Sequence, residues 1–251
     1  MVFSHGSFMD NTMFDPQLDH FAARGWHCVS YNSRALTHPD EIHTLADLAD
    51  QCIAVADAYV PGPFVLCGMS VGAFMAIELA LSRPERIAAM ILIDGKAAAY
   101  SDDESTALAP IFAPLDTDGP MPADFANWLA PMCFGATTCA ENPALVARWI
   151  ERWTTRIPAR SAHRQYRSWI DKADRRPDLG RIAIPTLILH GAEDIPTPLA
   201  HSEAMAAAMP NASLVVVPRA GHTSNLEQSD FVNTQIEQFL DRAVLAGRSN
   251  A

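Results

Sequence analysis

The chain has 251 residues, a formal net charge of −11, and 49% apolar against 19% charged side chains. That length suits one large α/β domain with room for a small insertion, and the acidic balance disfavours nucleic acid, whose binding needs positive surface to displace phosphate counterions. No apolar run approaches the roughly 20 residues of a membrane-spanning helix, and Met1 to Gly6 shows no basic stretch followed by an apolar one, so a cytoplasmic location without membrane partners is expected.

Met1 to His5 reads as a strand that gives way to the turn-forming run Gly6-Ser7-Phe8-Met9-Asp10-Asn11. Asp15 to Arg24 carries Leu18, Phe21 and Ala22 at helical spacing, with Gly25 placed as its C-cap. Trp26 to Tyr31 is a second strand, and Asn32 to Asp40 is a polar connection. Leu45, Leu48, Cys52, Val55 and Ala56 then line one face of a helix that runs to about Tyr59 and is stopped by Pro61 and Pro63.

Phe64 to Cys67 is a short continuous apolar run, the pattern of a strand buried on both faces. It enters Gly68-Met69-Ser70-Val71-Gly72, and a helix is expected over Ala73 to Leu81. A serine between strand and helix, with glycine two places before and after, matches a nucleophile elbow. Its strained turn needs residues without side chains where strand and helix approach. Ile87 to Asp94 is another buried strand.

From Gly95 to about Gly180 the strand-helix alternation stops, and prolines at 110, 114, 120, 122, 131, 143, 158 and 177 separate helix-like pieces. A helical cap over residues 96–180 is therefore expected, inserted into a core made of 1–95 and 181–251. Its clearest helix, Pro143 to Ile157, places Val146, Trp149, Ile150 and Trp153 on one face and Arg148, Arg152 and Arg156 on another. The tryptophans either pack on the main domain or line a pocket under the cap. The arginines either face water or include one that holds a substrate carboxylate in bidentate fashion.

Alternation resumes with a strand at Ile184 to His190, a helix at Leu199 to Met209, a strand at Ala212 to Val217 and a final helix from Phe231 to about Leu245, before a short tail at Gly247 to Ala251. The whole predicts an α/β fold with a doubly wound, mostly parallel sheet. The five cysteines, Cys28, Cys52, Cys67, Cys133 and Cys139, are odd in number and lack C-x-x-C spacing, which points to buried thiols rather than disulfides or a metal site.

Three chemically useful residues fall at ends of predicted strands, where open α/β sheets bind their ligands. Ser70 ends one, Asp194 follows another, and His222 follows a third. A serine hydroxyl needs a base to take its proton, and a carboxylate must hold that imidazole in the right tautomer. The order Ser, Asp, His is the one that accompanies Gly-x-Ser-x-Gly. Rivals for the acid are Glu193 and Asp94, and His190 is the rival imidazole.

On His5-Gly6, the Gly68 to Gly72 elbow, Gly191-x-x-Asp194-x-x-x-Pro198 and Gly221-His222, the chain resembles the α/β-hydrolase fold superfamily. The runs Met9 to Gln17 and Gly221 to Gln228 are also similar to 3-oxoadipate enol-lactonase-like esterases. The resemblance implies Ser70 as nucleophile, His222 as general base and acid, and Asp194 as orienting carboxylate. It further implies an oxyanion hole from the backbone amides of Ser7 and Val71 and no cofactor. A small ester or lactone is the expected substrate, with Phe8, Met9, Met69, Trp149 and Trp153 as candidate contacts. C–C bond hydrolysis, perhydrolysis, acyl transfer, or ligand sensing with slow turnover could use the same triad. Serine at position 70 departs from the aspartate of haloalkane dehalogenases and epoxide hydrolases.

Two departures from the family pattern stand out. No strand hairpin precedes the His-Gly strand, which would leave a sheet edge able to pair subunits into a homodimer. The usual Asp-x-Arg-Gly-x-Gly after the second strand is here Asn32-Ser-Arg34-Ala-Leu-Thr, so Arg34 matches while the glycines do not.

Overall fold

The computed structural model describes the backbone of residues 1–248 and the side chains of residues 1–243, so most of the expected tail at Gly247 to Ala251 lies outside the described residues. Six strands form one sheet: β1 (Val2–Ser4), β2 (Val29–Tyr31), β3 (Phe64–Met69), β4 (Ile87–Ile93), β5 (Thr186–Gly191) and β6 (Ala212–Val217). Their order is β2-β1-β3-β4-β5-β6, and every neighbouring pair is parallel. All of β3 and β5 is buried, as expected for central parallel strands covered on both faces. The edge strand β6 is half-exposed along most of its length.

The register matters for the site. Ser4 pairs with Gly68, Met69 with Ile93, and Gly191 with Val217, so the carboxyl ends of five strands open along one side of the sheet. Loops leaving those ends therefore meet, although they are far apart in sequence.

Helices α1 (Asp15–Ala22), α2 (Arg34–Thr37), α3 (Leu45–Tyr59) and α4 (Val71–Ser82) occupy the first half of the chain. Nine of the twelve residues of α4 are buried, because the helix is packed against β3, β4 and α3. A capping box starts α3: the Thr44 hydroxyl accepts from Asp47 N–H at 3.2 Å, and the Asp47 carboxylate accepts from Thr44 N–H at 2.8 Å. The glycine-poor Asn32-to-Thr37 segment forms the short helix α2, and Arg34 N–H is satisfied by Gln51 Oε1 at 2.7 Å.

Between β4 and β5 lie α5 (Asp102–Phe112), α6 (Ala123–Cys133), α7 (Ala136–Glu141), α8 (Pro143–Arg156) and α9 (Ala159–Ile170). Pro143 opens α8, where its missing N–H would have no intrahelical partner anyway. Pro110 and Pro131, expected as breaks between helices, sit instead inside the last turns of α5 and α6. Each helix ends within two residues, so the damage from the proline is confined to that turn.

After β5 come α10 (Ala200–Ala208), and after β6 come α11 (Ser224–Glu227) and α12 (Ser229–Arg248). The segment after α9 is tied to α4 by a bidentate ion pair, in which Arg175 Nε and Nη2 each reach a Glu78 carboxylate oxygen at 2.8 Å. No helix among the described residues is long and apolar enough to cross a membrane.

Candidate active site

The elbow begins where β3 ends. Ser70 has φ +50° and ψ −113°, a conformation costing on the order of 1–3 kcal/mol that persists only when its surroundings fix it. Here they do: Ser70 N–H donates to Ile93 C=O at 2.9 Å, and Ser70 C=O accepts from Phe74 N–H at 3.0 Å. The flanking glycines are needed sterically. A Cβ on Gly68 would overlap the Gly72 carbonyl, and one on Gly72 would overlap the Ser4 carbonyl.

Ser70 Oγ lies 2.9 Å from His222 Nε2, and His222 Nδ1 lies 2.8 Å from Asp194 Oδ2. With Nδ1–H donating to the carboxylate, Nε2 is left to accept the serine proton. Asp194 is pinned by Thr197, whose N–H donates to Oδ1 at 2.9 Å and whose hydroxyl donates to Oδ2 at 2.6 Å. Thr197 was not anticipated. It stands in the loop after β5 with no motif to mark it.

Charge follows from these contacts. Burial disfavours the imidazolium of His222, but the Asp194 charge and hydrogen bond, with Asp94 and Glu227 behind, hold its pKa above the usual 6.5. Burial likewise works against the Asp194 carboxylate. The charge and hydrogen bond of His222, with those from Thr197, outweigh it and hold Asp194 below the ordinary range.

The rivals have other occupations. Asp94, with φ +50°, is fully buried at the end of β4. It accepts from Gly191 N–H at 2.7 Å, Ser224 N–H at 3.0 Å and Ser224 Oγ at 2.7 Å, and so joins three strand-end loops. Burial and the neighbouring Asp194 charge push its pKa well up, against those donors. His190 Nδ1 is 2.8 Å from Ser202 Oγ, and burial holds the ring neutral. Asp94, His190 and Asp194 do bring ligand atoms within 4.8 Å of one another. Gly191 and Ser224 engage Asp94, Ser202 engages His190 Nδ1, and Thr197 and His222 engage Asp194, while His190 Nε2 stands 3.8 Å from Asp194 Oδ2 without a hydrogen bond.

Glu193 faces away from the imidazole. Its carboxylate accepts from Thr137 N–H at 2.8 Å and Thr137 Oγ1 at 2.5 Å, in the first turn of α7. Glu227 makes the matching contact from the other side, accepting from Gly135 N–H at 2.8 Å and from Gly221 N–H at 2.9 Å. Two carboxylates therefore clamp one turn of the helical layer between the Asp194 and His222 loops. The backbones approach so closely that a Cβ on Gly221 would overlap Gly135 N.

Val71 directly follows Ser70 in the chain, and Gly6, the neighbour of Ser7, lies so close that a Cβ on it would stand 3.4 Å from Ser70 Cβ. Neither the Ser7 nor the Val71 backbone amide donates to another group among the described residues, and Val71 opens α4, where an orphan N–H is normal. His5 braces this loop: its Nδ1 lies 2.7 Å from Gly6 C=O, and its Nε2 accepts from Ser33 N–H at 2.9 Å.

Above Ser70 and His222 opens a chamber of about 340 Å³. Phe8, Phe74, Tyr100, Phe112, Trp128 and Trp169 supply its aromatic wall. Phe8 holds φ +63° and is fixed by its N–H donating to Gln165 Oε1 of α9 at 2.7 Å. Of the five expected substrate contacts, Phe8 borders the chamber and the other four do not. Met69 lies beneath Gly6, and Met9 is buried in the core. Trp153 is wholly buried, its ring centroid 6.2 Å from that of Phe134, and Trp149 packs beside it. Periodicity identified the buried face of α8 but not its neighbours, which are α6 and α7.

The arginines of α8 follow the solvent-facing alternative, with Arg148 and Arg156 exposed. Arg148, Arg152 and Arg156 line a separate open concavity of about 470 Å³, and Arg152 Nε donates to Asp10 Oδ2 at 2.5 Å. None borders the chamber.

Comparison with known proteins agrees with this architecture. The profile of the Alpha/beta hydrolase family matches residues 1–235. The chain is 26% identical to a pimeloyl-acyl-carrier-protein methyl ester esterase of Nitrosomonas europaea, over 70% of this chain and 71% of that protein. It is 25% identical to 3-oxoadipate enol-lactonase 1 of Acinetobacter baylyi, over 92% of this chain and 84% of that one. A thermophilic esterase from Thermogutta terrifontis superposes with a TM-score of 0.88 at 23% identity, covering 96% of this chain and 89% of the other. With the parallel sheet, the strained serine elbow and the match along nearly its whole length, this chain belongs to the alpha/beta hydrolase family.

Proposed function

We propose that the protein is a serine hydrolase that cleaves a carboxylic ester or lactone through an acyl-enzyme on Ser70. The observation that carries this reading is the unbroken chain from Ser70 Oγ to His222 Nε2 at 2.9 Å and from His222 Nδ1 to Asp194 at 2.8 Å. As Oγ attacks the carbonyl carbon, His222 takes its proton, and the carbonyl oxygen becomes an oxyanion facing the Ser7 and Val71 amides. Losing one such donor typically costs roughly 3–4 kcal/mol of transition-state stabilisation. Collapse expels the alcohol, which receives its proton from His222. A water, deprotonated by the same imidazole, then attacks the acyl-enzyme and releases the acid. In a lactone both products remain one molecule, the hydroxy acid.

The names of the relatives, an esterase and an enol-lactonase, favour this bond class. Intact-mass labelling with a fluorophosphonate tests the reading. One adduct per wild-type chain, absent from Ser70→Ala, is expected. A folded wild type that takes up no probe would overturn the acyl-enzyme mechanism.

A further inference from the structure

The chamber over Ser70 carries more information than the triad beneath it, because its lining is almost devoid of charge. Besides His222, Glu104 is the one titratable acid or base of ordinary charge there, and no arginine or lysine borders the cavity. Glu104 is also already satisfied. Its Oε2 accepts from Ser101 N–H at 2.7 Å, and its Oε1 lies 3.6 Å from Lys96 Nζ. Lys96 is only 2% exposed and sits 3.4 Å from the centre of the Tyr100 ring, and Lys172 Nζ lies 4.9 Å from the centre of the Phe74 ring; both ammonium groups rest on aromatic rings of the wall and neither borders the cavity itself. Two fully buried polar side-chain atoms of lining residues have no partner among the described residues, Ser7 Oγ and Trp169 Nε1. Both are neutral donors.

Size adds a second constraint. At about 340 Å³ the cavity is near the small end of ligand pockets. It holds a group of roughly ten heavy atoms if each takes the ~30 Å³ of a liquid water.

We propose that this site, if it is the hydrolase argued above, selects uncharged esters or lactones carrying a compact apolar or aromatic group and rejects those bearing a carboxylate. A carboxylate in the chamber would lose its hydration, find no cation on the wall, and face Glu104. An aromatic or branched group would instead meet ring faces at Phe8, Phe112 and Trp169 and leave no charge unpaired.

Two matched pairs of small molecules test this. p-Nitrophenyl hexanoate and mono-p-nitrophenyl adipate share a chain length and differ in a terminal carboxylate, set too far from the ester carbonyl to attack it readily. The neutral ester should have a kcat/KM at least tenfold higher, on the order expected when a charge is buried without a partner. 4-Phenyl-2-butanone and its para-carboxylate form a pair that cannot be hydrolysed, and quenching of Trp128 and Trp169 fluorescence reports their binding. The neutral ketone should bind at least tenfold more tightly. Leu108→Arg, which places a guanidinium on the wall, should narrow or invert both preferences while the thermal melt stays cooperative.

Equal turnover of both esters would overturn the selectivity while leaving the hydrolase reading intact; it would mean that Lys96 is drawn away from Glu104 to meet the substrate. Discrimination between the ketones without turnover of either ester would keep the chamber inference and remove the hydrolase reading. Binding of neither ketone, or of both equally, would overturn the chamber inference by itself.

Discussion

The strand-end loops and the helical layer between β4 and β5 were built under different constraints. In the loops, backbone geometry demands particular residues: Gly68 and Gly72 because any side chain would collide, while Ser70, held at φ +50° between them, turns its buried Oγ to within 2.9 Å of His222 Nε2. In the helical layer, the Gly135 turn apart, the constraint is only that one face of each helix be apolar. Many arrangements of five helices satisfy that. Local chemical necessity therefore leaves a signature that can be located along the chain, whereas amphipathicity says that a face is buried without saying against what.

The contrast can be broken most decisively at the two aspartates. Asp194→Asn should lower kcat by a factor on the order of 10⁴ while the fold persists, because the imidazole loses its orienting acceptor and takes the wrong tautomer. Asp94→Asn should leave the rate within about tenfold and destabilise the protein by about 1–3 kcal/mol, since one of its accepted bonds is lost in the interior. Ester hydrolysis and urea melts on both variants decide the matter, and reversed phenotypes would transfer the acid's role to Asp94.

The helical layer offers the next test. Trp153→Ala should cost about 3–5 kcal/mol in denaturant melts, the usual penalty for emptying a buried aromatic site, with KM unchanged where the variant is folded. Trp128→Ala removes a chamber wall residue that is 39% exposed, so KM should rise severalfold with little change in melting temperature. If Trp153 instead governed KM, the placement of α8 behind the chamber would be wrong.

The smallest effect is a displacement on the pH axis. His222 must be neutral to accept the Ser70 proton, and its pKa is held above 6.5 chiefly by Asp194 against the opposing effect of burial. Activity should therefore fall as pH drops through a value above 6.5, and Asp194→Asn should move that acidic limb downward. A wild-type kcat/KM profile with its acidic limb at or below 6.5 would contradict this electrostatic account.

Much of the fold and of the candidate site was legible in the sequence, for identifiable reasons. Buried parallel strands show as short apolar runs such as Phe64 to Met69, and the elbow glycines and the Ser-Asp-His order mark the strand ends. Ser70, His222 and Asp194 could be named because each stands where a strand ends, and the sheet itself aligns those ends. Tertiary structure alone decided the rest. Thr197 fixes Asp194 by two hydrogen bonds inside one loop, and Glu227 bridges Gly135 and Gly221, contacts that leave no periodic trace. Which tryptophans wall the chamber depended on how five amphipathic helices settled together, and Trp128 and Trp169 were chosen over Trp149 and Trp153. Sequence records that a side chain must leave water; only packing determines what it meets.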